Sequence, residues 1–315
     1  MENKVKIGSF GSLFGGAIRD FKSRLKTIIA LSAISIAISF LVPVVVAAGV
    51  FLGMTNVVLG TSIGIIGFLV FLFATYFVNG AFAYSMKDGA KVKESFGFIW
   101  KNIWSFLWIM ALTILVVLPG FVALIIPGII ISMIISFSMF IFMDEGVKGM
   151  AALAKSREYF RGYFWPIIGR FALYILVAVG AAMVVSIIGG ILGLIHESME
   201  SILQTVFNVF ILAPIGLCFS WRLYKDLKEK RPEVASAPVP EKRNWIKGLA
   251  IIGAALVAVA LIVAIVMAPS IKKAVEEAAK EEASNEMNIG DVSFDGEGFT
   301  AEELEELERL LNEER

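Results

Sequence analysis

Long apolar runs alternate with short stretches into which the charged residues are gathered. A helix needs about 20 mostly apolar residues to cross roughly 30 Å of hydrocarbon. Residues 27–52 and 57–86 contain no Asp, Glu, Lys or Arg, and Gly53-Met54-Thr55-Asn56 is a natural turn between them, so they predict a hairpin of two helices. Residues 102–143 form one uncharged run long enough for two spans, interrupted by helix-breaking Pro119-Gly120 and Pro127-Gly128. The turn belongs between those breaks, which gives spans 102–120 and 127–143. The second is short, and a re-entrant segment is an alternative to a full crossing. Residues 171–195 and 202–221 predict a third hairpin turning at His196-Glu197-Ser198, and 245–268 a seventh span.

One-sided patterns precede each hairpin. Phe10, Leu13, Phe14, Ala17, Ile18, Phe21 and Leu25 fall at helical spacing, interleaved with Arg19, Lys22, Arg24 and Lys26. A helix of that kind lies flat at the headgroup level with its cations toward anionic lipid. The second segment carries Phe96, Ile99, Trp100, Ile103 and Trp104 with Lys91, Lys93 and Lys101. The third carries Met150, Leu153, Tyr159, Phe160, Phe164 and Trp165 with Lys155, Arg157, Arg161 and Arg170. Arg19, Lys22, Arg24, Lys26, Lys155, Arg157, Arg161 and Arg170 are therefore the candidate lipid-headgroup contacts. Phe21-Lys22-Ser23, Ile99-Trp100-Lys101-Asn102 and Phe160-Arg161-Gly162 suggest a threefold repeat of entry segment plus hairpin. The plain alternative is that any cytoplasmic entry to a membrane helix is basic and aromatic.

Composition sharpens this reading. Of 315 residues 58% are hydrophobic and 18% charged, with mean hydropathy +0.81. Such a surplus of apolar residues excludes a soluble enzyme with a few anchoring residues. The zero net charge is a cancellation between +10 in residues 1–268 and −10 in residues 269–315. All 23 Lys and Arg of the basic body fall in 1–26, 87–101, 144–170 and 222–247, and none in the intervening turns. Basic loops stay in the cytoplasm, so the expectation is a multi-pass protein of a cell membrane with a cytoplasmic N-terminus and an extracytoplasmic acidic tail. Cys218 is the only cysteine, which excludes an internal disulfide and a Cys-based metal site.

Residues 232–244 read as a Pro-rich, mobile cytoplasmic linker into the seventh span. In the tail, Thr300-Ala301-Glu302-Glu303 forms a capping box ahead of a stripe of Leu304, Leu307, Leu310 and Leu311. That stripe suits a protein partner or self-association through residues 300–315, and a solvated, partly helical acidic tail is the alternative. Asp291, Asp295 and Glu297 miss the spacing of a calcium loop.

Pro127-Gly128, Glu145-Gly146, Ala152, Ser156, Gly162 and Phe164-Trp165, followed after one hairpin by Leu223-Tyr224-Lys225-Asp226-Leu227-Lys228, form a spaced pattern over roughly residues 8–231. It resembles the membrane domain attached to glycerophosphoryl diester phosphodiesterases, which also occurs without an enzyme. The resemblance implies six helices in three hairpins and supplies no chemistry. Its motif positions here, of unknown role, are Pro127, Gly128, Glu145, Gly146, Ser156, Gly162, Trp165, Tyr224, Asp226 and Leu227. Lys225 and Lys228 stand where the family tends to have an aromatic and an arginine. The family's catalytic barrel of about 250 residues does not fit in this chain, so its enzymatic activity does not transfer.

The residues suggest no other catalyst. His196 reads as a helix cap, and Walker, HExxH, GxSxG and dinucleotide motifs are missing from the sequence. Asp144 and Glu145 face Lys148 one turn on, which reads as a local salt bridge or helix cap, and Asp226 is expected to pair with the flanking Arg222, Lys225, Lys228 and Arg231 near the lipid surface. Thr75, Tyr76 and Asn79 in the second span and Gln204, Thr205 and Asn208 in the sixth are the notable intramembrane polar groups. Interhelical hydrogen bonding is their default role and a substrate path the alternative. Gly49-x-x-x-Gly53, Gly60-x-x-x-Gly64 and Gly189-x-x-x-Gly193 read as close helix packing.

The expected architecture is an all-α polytopic transmembrane bundle of three hairpins, each with an interfacial amphipathic entry segment. A six-helix domain (1–231) would be followed by the linker (232–244), a seventh helix (245–268) and the acidic tail (269–315). The expected function is a non-enzymatic membrane scaffold or lipid-interacting module without cofactor, metal or nucleic-acid partner, in contact with anionic headgroups. The alternative is a small-molecule or lipid transporter.

Overall fold

The computed structural model describes residues 7–238, except 56, 88, 89, 195 and 197, together with 244–260, 262, 263, 266 and 270. The chain divides into two compact units, Met1–Ala255 and Leu256–Arg315, and the helical bundle belongs to the first. The tail helix expected at 300–315 lies outside the described residues.

All described regular structure is helical, as apolar runs without strand periodicity require. The helices are α1 (Phe10–Ser23), α2 (Leu25–Thr55), α3 (Val57–Ser85), α4 (Val92–Lys101), α5 (Ile103–Ala123), α6 (Ile125–Ile135), α7 (Ser138–Glu145), α8 (Met150–Phe160), α9 (Phe164–Gly193) and α10 (Ser198–Phe207). A π-helical segment, Asn208–Leu212, joins α10 to α11 (Ala213–Lys230); α12 (Pro232–Ser236) follows, and α13 spans Asn244–Ala260. Among the described residues five stretches are long and apolar enough to cross a membrane, and six if α1 and the first part of α2 count as one bent span. This is a polytopic helical membrane protein.

The second hairpin turns at Leu124, between the two Pro-Gly breaks, and its returning arm runs through α6 and α7 as a 21-residue apolar stretch, Ile125–Glu145. α9 begins at Phe164, well before the expected 171, and the last arm of the bundle extends from Ser198 to Lys230. Charge marks the edge of an apolar run and not the end of a helix. Arg170 sits inside α9 because its guanidinium donates to Gly8 O at 2.8 Å and Ile7 O at 2.9 Å.

Entry helix and hairpin recur three times with the same joint. α1 and α2 meet at Arg24 (φ −108°, ψ 13°), α4 and α5 at Asn102 (φ −112°, ψ 24°), and α8 and α9 at Tyr163 (φ −120°, ψ 12°). Each joint N–H donates to the carbonyl three residues back, on Phe21, Ile99 and Phe160, and each joint carbonyl accepts from the amide four residues on. Seven residues before the joint stand Ala17, Ser95 and Ser156, and four after it Ile28, Phe106 and Ile167, all fully buried. Two residues before stand Lys22, Trp100 and Arg161, and two after stand Lys26, Trp104 and Trp165, all exposed. The axis turns by 80° at the first joint, so α1 lies nearly across the direction of α2.

The packed core lies at this base, where Tyr159, Tyr224, Phe106, Phe137, Phe142 and Phe219 are fully buried. Away from it, helices such as α9 present Leu176, Val179, Ile187 and Ile191 outward. Lipid is the solvent for such a surface. α8 is more enclosed than expected of a segment lying flat on lipid. Ala152 to Ser156, Tyr159 and Phe160 are all buried, because α8 is covered by α5, α6, α7 and α12.

The stretch expected to be a free linker is fastened down over its first part. Arg231 Nη1 donates to the carbonyls of Glu158 at 2.6 Å and Arg161 at 2.8 Å, and Lys155 Nζ donates to Ala235 O at 2.8 Å. These bonds anchor α12 to the carboxyl-terminal end of α8, whose last carbonyls lack helical partners. At the start of α13, the Arg157 guanidinium lies 4.9 Å from the centroid of the Trp245 ring, and Ile246 is fully buried.

Glycines set the hairpin contacts. A Cβ on Gly120 would stand 2.9 Å from Gly128 Cα, and one on Gly49 would stand 3.3 Å from Gly60 O. Gly97 faces open space. Gly120→Leu is expected to lower stability by about 1–3 kcal/mol through overpacking, whereas Gly97→Ala, inside α4 with open space around it, is expected to raise the melting temperature in detergent slightly.

Candidate functional site

Two polar assemblies stand out, an ionic cluster in the base and a cleft higher in the helices. The cluster begins where α7 ends. Gly146 adopts φ 71° and its N–H donates to Phe142 O at 3.2 Å, stopping the helix directly after Asp144 and Glu145. Glycine takes this left-handed conformation at little cost. The two carboxylates are 8% and 7% exposed. Burying charge demands partners, and they come from distant helices.

Lys155 of α8, itself 6% exposed, places Nζ 2.6 Å from Glu145 Oε2. Lys225 and Lys228 of α11 donate to Asp144 Oδ1 at 2.9 Å and Oδ2 at 2.6 Å. The Tyr224 hydroxyl lies 3.0 Å from Asp144 Oδ2 and 2.9 Å from Glu145 Oε1, and the Tyr159 hydroxyl donates to Glu145 Oε1 at 2.8 Å. Burial, reinforced by that hydrogen bond and the carboxylate charges, pushes the Tyr159 phenol well above its ordinary range, so at neutral pH it is a donor. Ser156 Oγ donates at 2.5 Å to Ile134 O, at the break between α6 and α7. Three ammoniums and two phenols thus surround two carboxylates; Glu145 Oε2, held by the Lys155 charge, accepts no hydrogen bond among the described residues. The arrangement ties α7, α8 and α11 together and, through Lys155 and Ala235 O, α12.

A second latch holds the amino-terminal segment. Arg222 of α11 grips Asp20 of α1 with two bonds of 2.5 and 2.6 Å, and Gly8 N donates to Asp226 Oδ2 at 2.8 Å. Asp226 pairs with Lys230 at 2.7 Å and not with the four cations expected, because Arg222 is taken by Asp20, Lys225 and Lys228 by Asp144, and Arg231 by Glu233.

The motif positions divide accordingly. Glu145, Gly146, Ser156 and Tyr224 meet at the cluster, Leu227 is buried beside Tyr224 on α11, and Asp226 belongs to the second latch. Gly162, at φ 80°, leads into the third joint. Pro127 and Gly128 lie at the hairpin turn, and Trp165 is an exposed joint residue. Lys148 is not the partner of Asp144 and Glu145; Lys225, Lys228 and Lys155 are. Asp20 went unrecognised as a site residue, although it is the only acid between Glu2 and Asp88 in a basic stretch, a usable signal.

The cations expected at headgroups also divide. Arg19, Lys22, Lys26, Arg157 and Arg161 are exposed. Lys155 is buried against Glu145, and Arg170 is committed to the carbonyls of residues 7 and 8. Arg24 donates to Lys87 O at 2.9 Å and to Ser85 O, capping α3. In these three, orphan carbonyls or a buried carboxylate claim the charge.

The cleft lies between α2, α3 and the π segment. Its volume is 410 Å³, and its polar lining is Ser35, Ser39, Thr75, Asn79, Asn208 and Ser220. Pro214 explains the backbone here. Lacking an N–H, it cannot satisfy a carbonyl in the preceding turn; the helix widens, and Val209 O instead accepts from Ser32 Oγ at 2.9 Å. Leu212 O accepts from the Tyr174 hydroxyl at 2.9 Å. Gln204, by contrast, bonds Glu200 Oε1 and Ser186 Oγ, and Tyr76 packs on Phe106. His196 Nδ1 accepts from Ser198 N at 3.3 Å, as a cap on α10.

Glu145→Gln leaves Lys155 buried without its counter-charge and is expected to cost about 3–5 kcal/mol. Glu145→Met with Lys155→Met restores much of that stability, as thermal unfolding in detergent will show.

Comparison of the chain with protein-family models, curated proteins and solved structures finds no match.

Proposed function

We propose that this multi-pass protein is a non-enzymatic, lipid-interacting module of a cell membrane whose base lies at the cytoplasmic headgroup level. One observation carries the reading. Each of the three joints presents a cation or an indole outward two residues before and two after it: Lys22 and Lys26, Trp100 and Trp104, Arg161 and Trp165. Tryptophan and basic side chains are the residues that settle at a membrane interface and engage anionic lipid. Their recurrence at equivalent joints supports an interface level common to all three hairpins. The basic residues of the hairpin mouths give the same orientation through the positive-inside rule.

Lys22→Gln, Lys26→Gln and Arg161→Gln together are expected to weaken retention of phosphatidylglycerol in native mass spectra of the detergent-extracted protein. The expected loss is about fivefold for each cation removed, from about 1 kcal/mol per charge near an anionic surface. Unchanged retention refutes the headgroup assignment.

A second reading, a small-molecule or lipid transporter, draws on the cleft that gathers Thr75, Asn79 and Asn208. It requires flux into proteoliposomes that Asn79→Leu abolishes, and the absence of flux across a broad panel of solutes and lipids counts against it.

A further inference from the structure

The cleft between α2, α3 and the π segment presents polar side chains at a depth where the solvent is hydrocarbon. Ser35 lies ten residues into α2 and Thr75 ten residues before the end of α3, each about 15 Å from the base at 1.5 Å per residue. That is about half the thickness of a hydrocarbon core. Yet Thr75, Asn79 and Asn208 are exposed. A polar group facing lipid tails without a partner is strongly unfavourable.

The protein satisfies these groups only in part. Ser35, Ser39 and Ser220 each donate to the carbonyl one turn back, and Asn79 Nδ2 donates to Thr75 O at 2.9 Å. Their oxygens remain acceptors, since a hydroxyl or carboxamide oxygen carries two lone pairs. The Asn208 carboxamide has no hydrogen-bond partner among the described residues. Donors and acceptors are therefore both on offer, and among the described residues no side chain lining the cleft is charged. The rest of the wall is apolar, including Ile38, Phe71, Phe82 and Leu217. An ionised headgroup would enter without a counter-charge, which disfavours it. A neutral group with hydroxyls, attached to acyl chains that leave along the apolar wall, matches every part of the lining.

The position of Asn208 reinforces this. It opens the π segment, a rare geometry that recurs at functional sites, and here the distortion is locked by Ser32 on Val209 O and Tyr174 on Leu212 O. Gly216 is required for the second lock, because a Cβ there would stand 2.6 Å from the Tyr174 hydroxyl. The packing thus maintains an irregular helix whose first residue faces the cleft.

We propose that this cleft binds a neutral lipid whose headgroup carries a free hydroxyl, with the carboxamides of Asn79 and Asn208 as its recognition groups. The assignment rests on the reading of the chain as a lipid-interacting membrane module and is independent of the headgroup contacts at the joints.

The test uses the full chain in phosphatidylcholine nanodiscs doped with dioleoylglycerol, or with trioleoylglycerol, which has the same acyl chemistry and no hydroxyl. Dioleoylglycerol retained on the purified protein, in preference to trioleoylglycerol, is the expected result; equal retention of the two overturns the proposal. Asn79→Leu with Asn208→Leu is expected to weaken retention about tenfold, the loss of two modest hydrogen-bonding contributions. Ser39→Phe, which adds a ring at the lining and keeps both carboxamides, is expected to do the same. Undiminished retention in either folded variant overturns the site, as does a change in oligomeric state in place of lost binding, which would make the cleft a contact between copies. Phosphatidylglycerol retention, read in native mass spectra of the same variants extracted in detergent, stays unchanged and falls only in the Lys22, Lys26 and Arg161 set, so failure of this site and failure of the headgroup reading are told apart.

Discussion

Two adjacent carboxylates buried at the end of the fourth span govern how the base of this protein is built. Asp144 and Glu145 are removed from water at a helix terminus already poor in positive charge, where the macrodipole opposes anions. Their stability there depends on Lys155, Lys225, Lys228, Tyr159 and Tyr224. Those five groups arrive on α8 and α11, so satisfying the carboxylates docks the start of the third unit and the end of its hairpin onto the second. The strap formed by α12 is held by the same chemistry, because the Lys155 ammonium that neutralises Glu145 also donates to the strap's Ala235 carbonyl.

The three joints solve a different problem. A chain passing from a short entry helix into a long apolar one must leave the helical path without orphaning backbone groups. Arg24, Asn102 and Tyr163 do this with the same backbone conformation and the same pair of flanking hydrogen bonds. The small side chain seven residues earlier allows close approach at the base, and the bulky one four residues later fills the core. Agreement of backbone, burial and exposure at matched offsets supports a threefold repeat where sequence identity alone is faint. Repetition leaves the distal halves of the hairpins with little to bury against and hands their solvation to lipid. It also leaves room for a polar cleft beside an irregular helix.

The hairpins are legible along the chain because hydropathy is a local average. The Pro-Gly breaks placed the turn at Leu124, and the glycine pairs anticipated the close approach of Gly49 to Gly60. Helix ends are less legible. Arg170 reads as a boundary, yet α9 starts earlier because carbonyls of residues 7 and 8 accept from its guanidinium. Lys155 reads as a headgroup contact, since nothing in its neighbourhood reveals that Glu145 stands 2.6 Å away. Lys225 and Lys228 read as departures from a family pattern and as partners of the adjacent Asp226, and they are the counter-charges of Asp144.

By itself the sequence determined that this chain is helical, that it lives in a bilayer, where it turns, and at which ends of its apolar runs positive charge accumulates. These follow from the length of apolar runs, the placement of Pro and Gly, and the distribution of Lys and Arg, all of which are properties of neighbours along the chain. Only the tertiary structure decided which charges are neutralised and which remain free. It joined Asp20 to Arg222, Asp144 to Lys228, Ser32 to Val209, and brought Asn79 and Asn208 to one cleft. Hydrogen bonds and ion pairs act over a few ångströms of space, and residues 80 to 200 positions apart come within that reach only when the helices that carry them have packed.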